Sequence, residues 1–299
     1  MTRTRQHPEQ CPQCLGNHYV LVNREGWVRA EPCPCFHCKE CGDAGRIFRE
    51  DEKGMSYLIP CICTEFRRRL ALLGEASIPG KYRNASLETF HPLWPLQKTA
   101  LSRTQDFIED FMKDLDGFNK GLVFMGDTGA GKTHLAVATI KKLVLSAGID
   151  CKFVDFFQLL SEIRHGYSQD LSEQAIIQPY LRARVLVIDE LAKGRNNEFE
   201  ANVLDQFISH RYNSGNKVTL FTTNYLNTSL QGKDAKAKES DKVDTGSGAF
   251  REGFRKETLQ DRVGDRVFSR IAESSRFLEL KGGDFRQNVK HVSPSRNKK

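Results

Sequence analysis

The octapeptide Gly126-Asp127-Thr128-Gly129-Ala130-Gly131-Lys132-Thr133 lies between an apolar run, Leu122–Met125, and an amphipathic run, His134–Leu145. It fits the pattern G-x-x-x-x-G-K-[ST], and its flanks read as a buried strand before it and a helix after it. Glycines in such a turn let successive backbone N–H groups curl around phosphate oxygens. The helix N-terminus adds the positive end of its dipole. The spacing predicts that Lys132 neutralises β- and γ-phosphates and that the Thr133 hydroxyl holds Mg²⁺, with His134 opening the helix beside them. The expected ligand is ATP with Mg²⁺.

Beyond this helix the chain alternates as a parallel α/β sheet requires. Cys151–Val154 reads as a strand, with Cys151 as core packing, and a helix runs from about 155 to 164. Val185–Ile188 is an apolar strand that ends in Asp189 and Glu190, 57 residues beyond Lys132. A buried strand capped by two acids places both at the ligand end of the sheet. Asp189 is expected to bind Mg²⁺ through its waters, and Glu190 to orient and deprotonate the attacking water. Val218–Thr223 ends at Asn224, a residue able to hold that water against the terminal phosphate, although asparagine is also common at strand ends. Arg276–Leu280 forms the last strand. The order predicts a three-layer αβα sheet with right-handed crossovers. Between 227 and about 258 the polar sequence predicts a mobile loop.

Eight of the nine cysteines fall between Cys11 and Cys63, in a repeat. Cys11 and Cys14 precede Cys33 and Cys35; Cys38 and Cys41 precede Cys61 and Cys63 at nearly the same interval. Paired thiols in a reducing compartment serve metals more often than disulfides. Four thiolates from two knuckles suit a closed, structural Zn²⁺ site. Two zinc ions are expected, one per quartet taken in chain order; a cross-braced exchange of pairs has the same spacing. His37, between the quartets, reads as a surface histidine. Few large apolar residues lie in 1–63, so the metals are expected to hold this module together.

A helix is expected from Thr64 to about Leu73, with Arg67, Arg68 and Arg69 forming an exposed face in preference to a phosphate contact, and a second from Gln97 to Leu115. The domain reading is a duplicated zinc module at 1–63, a helical connector at 64–115, an ATPase core at 116–286 and a basic flexible tail at 287–299. No apolar run approaches the ~20 residues of a membrane span. The first ten residues lack the apolar core of a secretory signal, which predicts a cytoplasmic protein with no membrane partner. A net charge of +7 is compatible with nucleic acid without requiring it.

From Ile78 to Arg286 the chain resembles the bacterial DnaC/DnaI helicase loaders and their transposon relative IstB, within the AAA+ ATPases. The residues that carry the resemblance are Ile78-Pro79, Gly121–Ala136, Val187–Leu191, Thr222–Asn224 and Val263–Ile271. The resemblance implies that Asn224 is the sensor of the terminal phosphate. It also implies that an arginine of the closing element, Arg270 or else Arg266, acts as a finger on a neighbouring subunit's ATP, and hence a homo-oligomer. It implies an ATPase that loads or remodels a replicative DNA helicase of the DnaB type on single-stranded DNA, with the zinc module docking the partner. Only nineteen residues follow Leu280, so a helical lid domain is expected to be missing. Glu190 stands where many relatives carry a second Asp. The alternatives are an IstB-like transposition helper, whose relatives usually lack zinc knuckles, and a zinc-dependent adaptor with a slow nucleotide switch.

Overall fold

The computed structural model describes residues 11–170, 172–194, 197–227 and 257–285. The expected loop at about 227–258 and the expected basic tail lie almost wholly or wholly outside the described residues. No helix among the described residues is long and apolar enough to cross a membrane.

Two antiparallel hairpins come first: β1 (Tyr19–Arg24) with β2 (Trp27–Pro32), and β3 (Arg46–Glu50) with β4 (Ser56–Pro60). Each lies between the two halves of one cysteine quartet. Helix α1 (Ile62–Glu75) starts directly after Cys61 and carries Cys63 in its first turn, so the expected boundary at residue 63 falls inside a helix. Helix α2 (Pro95–Lys113) begins two residues earlier than its apolar period predicts. Pro95 takes the first helical position, where a missing N–H costs nothing and φ is already set.

The sheet has the order β6-β7-β8-β5-β9, and every neighbouring pair is parallel. Its strands are β5 (Gly121–Gly126), β6 (Cys151–Asp155), β7 (Val185–Asp189), β8 (Val218–Thr223) and β9 (Ser275–Leu280). Helices α3 (Lys132–Ala147), α4 (Phe156–Tyr167), α5 (Glu173–Arg182), α6 (Glu198–Asn213), α7 (Leu259–Val263) and α8 (Asp265–Ser274) connect them. Strand side chains alternate between two cores, as the pleat demands. Leu122, Phe124, Val185, Val187 and Leu220 meet Leu135 and Ile140 of α3 and Phe107 and Phe111 of α2. Val123, Leu186, Ile188 and Phe221 meet α4, α5, α6 and α8. This is the expected three-layer arrangement, and it places β5 inside the sheet, where the strand order reverses and ligands of such sheets bind.

The first hairpin is fixed to this core. Val28 is fully buried beside Leu73 and Ile78, and its N–H donates to the Ile78 carbonyl at 2.8 Å. Phe153 of β6 donates to the carbonyl of Ala76 at the end of α1. The second hairpin instead leaves Phe48, Met55, Tyr57 and Leu58 exposed.

The arginine triplet is not the free helix face its sequence suggests. Arg69 Nη1 donates to the Ser146 carbonyl at 2.7 Å, and Arg68 Nη2 to that of Gly148 at 3.3 Å. Both cap the carboxyl end of α3, where cations meet the negative end of the dipole. Glu65 pairs with both guanidiniums, and their hydrogen bonds hold its carboxyl down to about 2. The sequence shows the charges but not the neighbouring helix end that receives them. Replacing Arg68 and Arg69 together by Ala should lower stability by about 1–2 kcal/mol, the scale of partly exposed charged hydrogen bonds. A urea titration should show a lower midpoint at an unchanged slope; an unchanged midpoint would mean that the caps contribute nothing.

Candidate functional site: a phosphate-loop cleft and two cysteine quartets

Strand β5 ends at Gly126, and the loop from Asp127 to Gly131 delivers the chain into α3. Two glycines are required here. Gly126 (φ 127°) lies so close to β9 that a Cβ would sit 2.1 Å from the Leu280 carbonyl oxygen. Gly131 (φ 98°) faces Phe90, whose ring edge a Cβ would meet at 2.5 Å. Both adopt left-handed backbone that side chains resist. Around the loop opens a cleft of about 500 Å³.

One end of that cleft is acidic. Thr133 Oγ1 donates to Asp189 Oδ1 at 2.8 Å, and Thr222 Oγ1 donates to the same oxygen at 2.5 Å. Asp155, Glu190, Lys193 and Asn224 line the same cleft, and Asp155 is the register partner of Asp189 across β6 and β7. Glu190 has φ 55°, its N–H donates to Thr222 Oγ1 at 3.0 Å, and Lys193 Nζ reaches its carboxylate at 2.5 Å. Lys132 Nζ donates to the Gly126 and Asp127 carbonyls at 2.8 and 2.6 Å.

Tyr82, Phe90, His91 and Phe285 give the same cleft an aromatic share of its lining. Gln97, buried at the start of α2, donates from Nε2 to the Ala130 carbonyl at 3.1 Å and so ties α2 to the loop. His134 Nε2 lies 2.7 Å from the Ser86 carbonyl, and burial holds its pKa below the usual imidazole value, so a neutral ring latches α3 to the segment before α2. Lys141, two turns further along the same face of α3, donates to the Arg83 and Ala85 carbonyls, and burial brings it down to about 8.

Of the sequence-derived residues, Thr128 to His134, Asp189, Glu190 and Asn224 line this cleft together. Gly126 and Asp127 stand behind it, and the Asp127 carboxylate accepts from Gly282 N–H of the segment that leaves β9. Arg270 and Arg266 do not line it. They sit on α8, where both reach Asp205 of α6, at 3.2 and 3.5 Å. Thr222, Asp155, Lys193, Gln97 and Phe285 are members of the cleft that sequence patterns leave without a role. Thr222 had a signal, as a hydroxyl in an apolar strand end; the others depend on long-range packing.

The fit to a magnesium nucleotide rests on the donor set. The glycine cradle has no room for side chains, and a hydroxyl and a buried carboxylate converge at its rim as hard oxygen donors. The cysteine quartets can be tested in the same way. Cys11, Cys14, Cys33 and Cys35 bring their sulfurs within 4.8 Å of one another, as do Cys38, Cys41, Cys61 and Cys63. The nearest pairs, 3.4 to 3.8 Å apart, suit the ~3.8 Å edge of a tetrahedron with Zn–S bonds of about 2.3 Å. All eight are free of disulfides. The pairing follows chain order, which excludes the cross-braced exchange. Backbone N–H groups of Cys14 and Gln13 lower the Cys11 thiol to about 7, while burial pushes Cys63 up to about 12. Such crowded thiols ionise together only around a cation. His37 pairs with Asp43 at 2.6 Å and stays outside both quartets.

Burial raises the carboxyl of Asp189 above the ordinary aspartate value, and the two threonine hydroxyls offset this only in part. An acid whose folded pKa exceeds its unfolded value of ~3.9 loses stability as pH climbs from there through the folded value. At neutral pH the charge is a net cost in the absence of a cation. Asp189→Asn should therefore raise the thermal midpoint of the nucleotide-free chain at pH 7 in buffer without added Mg²⁺, with the gain shrinking towards pH 4. A midpoint that falls or stays level at pH 7 would refute the burial cost.

The family described as IstB-like ATP binding protein matches residues 102–231. The Phage-like element PBSX protein XkdC of Bacillus subtilis (strain 168) is 22% identical over 204 residues, 66% of this chain and 74% of that protein. The replicative helicase loader DnaC of Escherichia coli (strain K12) is 25% identical over 146 residues, which take in 48% of this chain but only 58% of the loader. A crystal structure of the DnaC helicase loader is 31% identical, with a TM-score of 0.53, and the match spans 67% of this chain and 99% of that one. The phosphate loop, the acid pair on β7 and the strand order thus sit in a chain that belongs to the IstB/DnaC-like family of AAA+ ATPases.

Proposed function

We propose that this protein binds and hydrolyses ATP, and uses the cycle to load or remodel a replicative DNA helicase of the DnaB type on single-stranded DNA. The observation that carries the reading is the convergence of Thr133, Asp189, Thr222, Glu190 and Asn224 at one end of a glycine-lined cleft. Lys132 holds the β- and γ-phosphates. Thr133 and Asp189 hold Mg²⁺, which when bound supplies charge neutralisation on the phosphate oxygens. Glu190 takes the proton of the attacking water, and Asn224 orients that water. Arg270, or Arg266 beside it, stabilises charge on a neighbour's nucleotide; their absence from the cleft of their own chain supports action across a subunit interface. Likeness to the DnaC helicase loader supports the replication role, and the IstB-like transposition helper is an alternative within the same family.

The cysteine module, folded around two zinc ions, is the docking element. Its first hairpin is committed to the core, whereas the second presents Phe48, Met55, Tyr57 and Leu58 to solvent, an apolar group suited to a protein partner.

Lys132→Ala should abolish ATP binding in a fluorescence titration. Glu190→Gln should bind normally yet turn over about 10²-fold or more slowly, the scale of a lost general base. Unaltered turnover would remove Glu190 from that role. Metal analysis of the purified chain should give two zinc ions, with Cys33→Ser reducing the count to one. The full chain should co-elute with a purified DnaB-type helicase in gel filtration, and exposing the chain to a zinc chelator should abolish co-elution; independence from zinc would leave the docking to another surface.

A further inference from the structure

Asp155, Asp189 and Glu190 bring three carboxylates to the cleft, and Lys81, Lys132 and Lys193 are the lysines that line it with them. Lys132 emerges from the phosphate loop. Lys193 comes from the turn after β7, and its Nζ lies 2.5 Å from Glu190 Oε2.

That turn is unusual. Glu190 and Ala192 both have positive φ, 55° and 68°, and neither is glycine. Left-handed backbone at such residues persists only where its surroundings impose it. Here β8 imposes it: Leu191 N–H donates to the Thr222 carbonyl at 2.8 Å, and Thr223 Oγ1 donates to the Leu191 carbonyl at 3.0 Å. Lys193 N–H closes the turn on the Glu190 carbonyl. The backbone of Lys193 is therefore fixed beside the cleft, and only its side chain can be redirected. The pair is half-exposed, with 58% of the Lys193 side chain and 38% of the Glu190 side chain reaching solvent. Ion pairs of that kind contribute little stability and exchange partners readily.

We propose that Lys193 is a second phosphate-binding cation of the site, which leaves Glu190 for the terminal phosphate when a nucleoside triphosphate enters. The inference rests on the nucleotide reading given above. A terminal phosphate carries more charge than a carboxylate and offers three acceptor oxygens, so it outcompetes Glu190 for the ammonium. Moving Lys193 removes the donor that occupies Glu190 Oε2, which leaves that oxygen to accept from the attacking water only when a γ-phosphate is present. With ADP the Lys193–Glu190 pair persists, which makes the arrangement a discriminator between the two nucleotides.

The test compares the unmodified full chain with Lys193→Met and Lys193→Arg, measuring equilibrium binding of Mg²⁺-ADP and of a non-hydrolysable Mg²⁺-ATP analogue. Lys193→Met should weaken the ATP analogue by about tenfold or more, the scale of a charged hydrogen bond, while ADP stays within about twofold. Lys193→Arg should restore most of the difference, and near-normal ADP binding reports an intact fold. Equal effects on both nucleotides, or no effect on either, would overturn the proposal and leave the nucleotide site standing. An unmodified chain that binds neither nucleotide would overturn the nucleotide reading and this proposal with it.

Discussion

Helix α3 is gripped at both ends, and the geometry of the cleft depends on that grip. Its amino end grows out of a loop that is pressed against β9 at Gly126 and against Phe90 at Gly131, with Gln97 clamping the loop from α2. Its carboxyl end accepts hydrogen bonds from Arg68 and Arg69 of α1. Along its length His134 and Lys141 hold the segment at 83–86 by its carbonyls. Phosphate binding depends on where N–H groups point, and a helix fixed along its length keeps them pointing one way without reorganisation on binding.

The same helix joins the two halves of the molecule. Cys61 and Cys63 sit at the start of α1, Arg68 and Arg69 at its middle donate to α3, and Ala76 at its far end accepts from β6. A metal bound by the second quartet would order the first turn of a helix whose arginines hold the carboxyl end of α3, the helix that grows out of the phosphate loop. In the proposed loader this provides a continuous packed route between partner docking and nucleotide. The route consists of two helices and one set of capping bonds.

Much of this architecture was legible in the sequence because its signals are local. The glycine loop, the apolar strand ending in Asp189 and Glu190, and the duplicated cysteine spacing each specify their own geometry within a few residues. The parallel sheet followed from strand–helix alternation. What escaped depends on contacts between distant segments. Nothing in the triplet Arg67, Arg68, Arg69 names the carbonyls of α3 as their target. Gln97 looks like any polar residue on a helix, yet it is buried against Ala130. Lys193 belongs to the cleft only because two left-handed residues turn the chain there, and neither is the glycine that would have betrayed it.

In the proposed oligomer, the arginines of α8 would be ordered before a partner arrives. Asp205 binds Arg270 at 3.2 Å, and the Arg270 guanidinium lies 5.9 Å from the centre of the Tyr212 ring. Arg266 shares the carboxylate but keeps 72% of its side chain in solvent, against 22% for Arg270. An arginine already held by an acid and a ring loses less rotamer freedom when it meets a phosphate than one that samples solvent, and its planar fork keeps donors to spare. Pre-ordering therefore favours Arg270 for a contact across subunits, while reach favours Arg266. The two demands conflict only if one residue must meet both. If Arg266 forms the first long-range attraction and Arg270 the final contact, the carboxylate they share serves to keep both on the same face of α8 until a second copy closes over it.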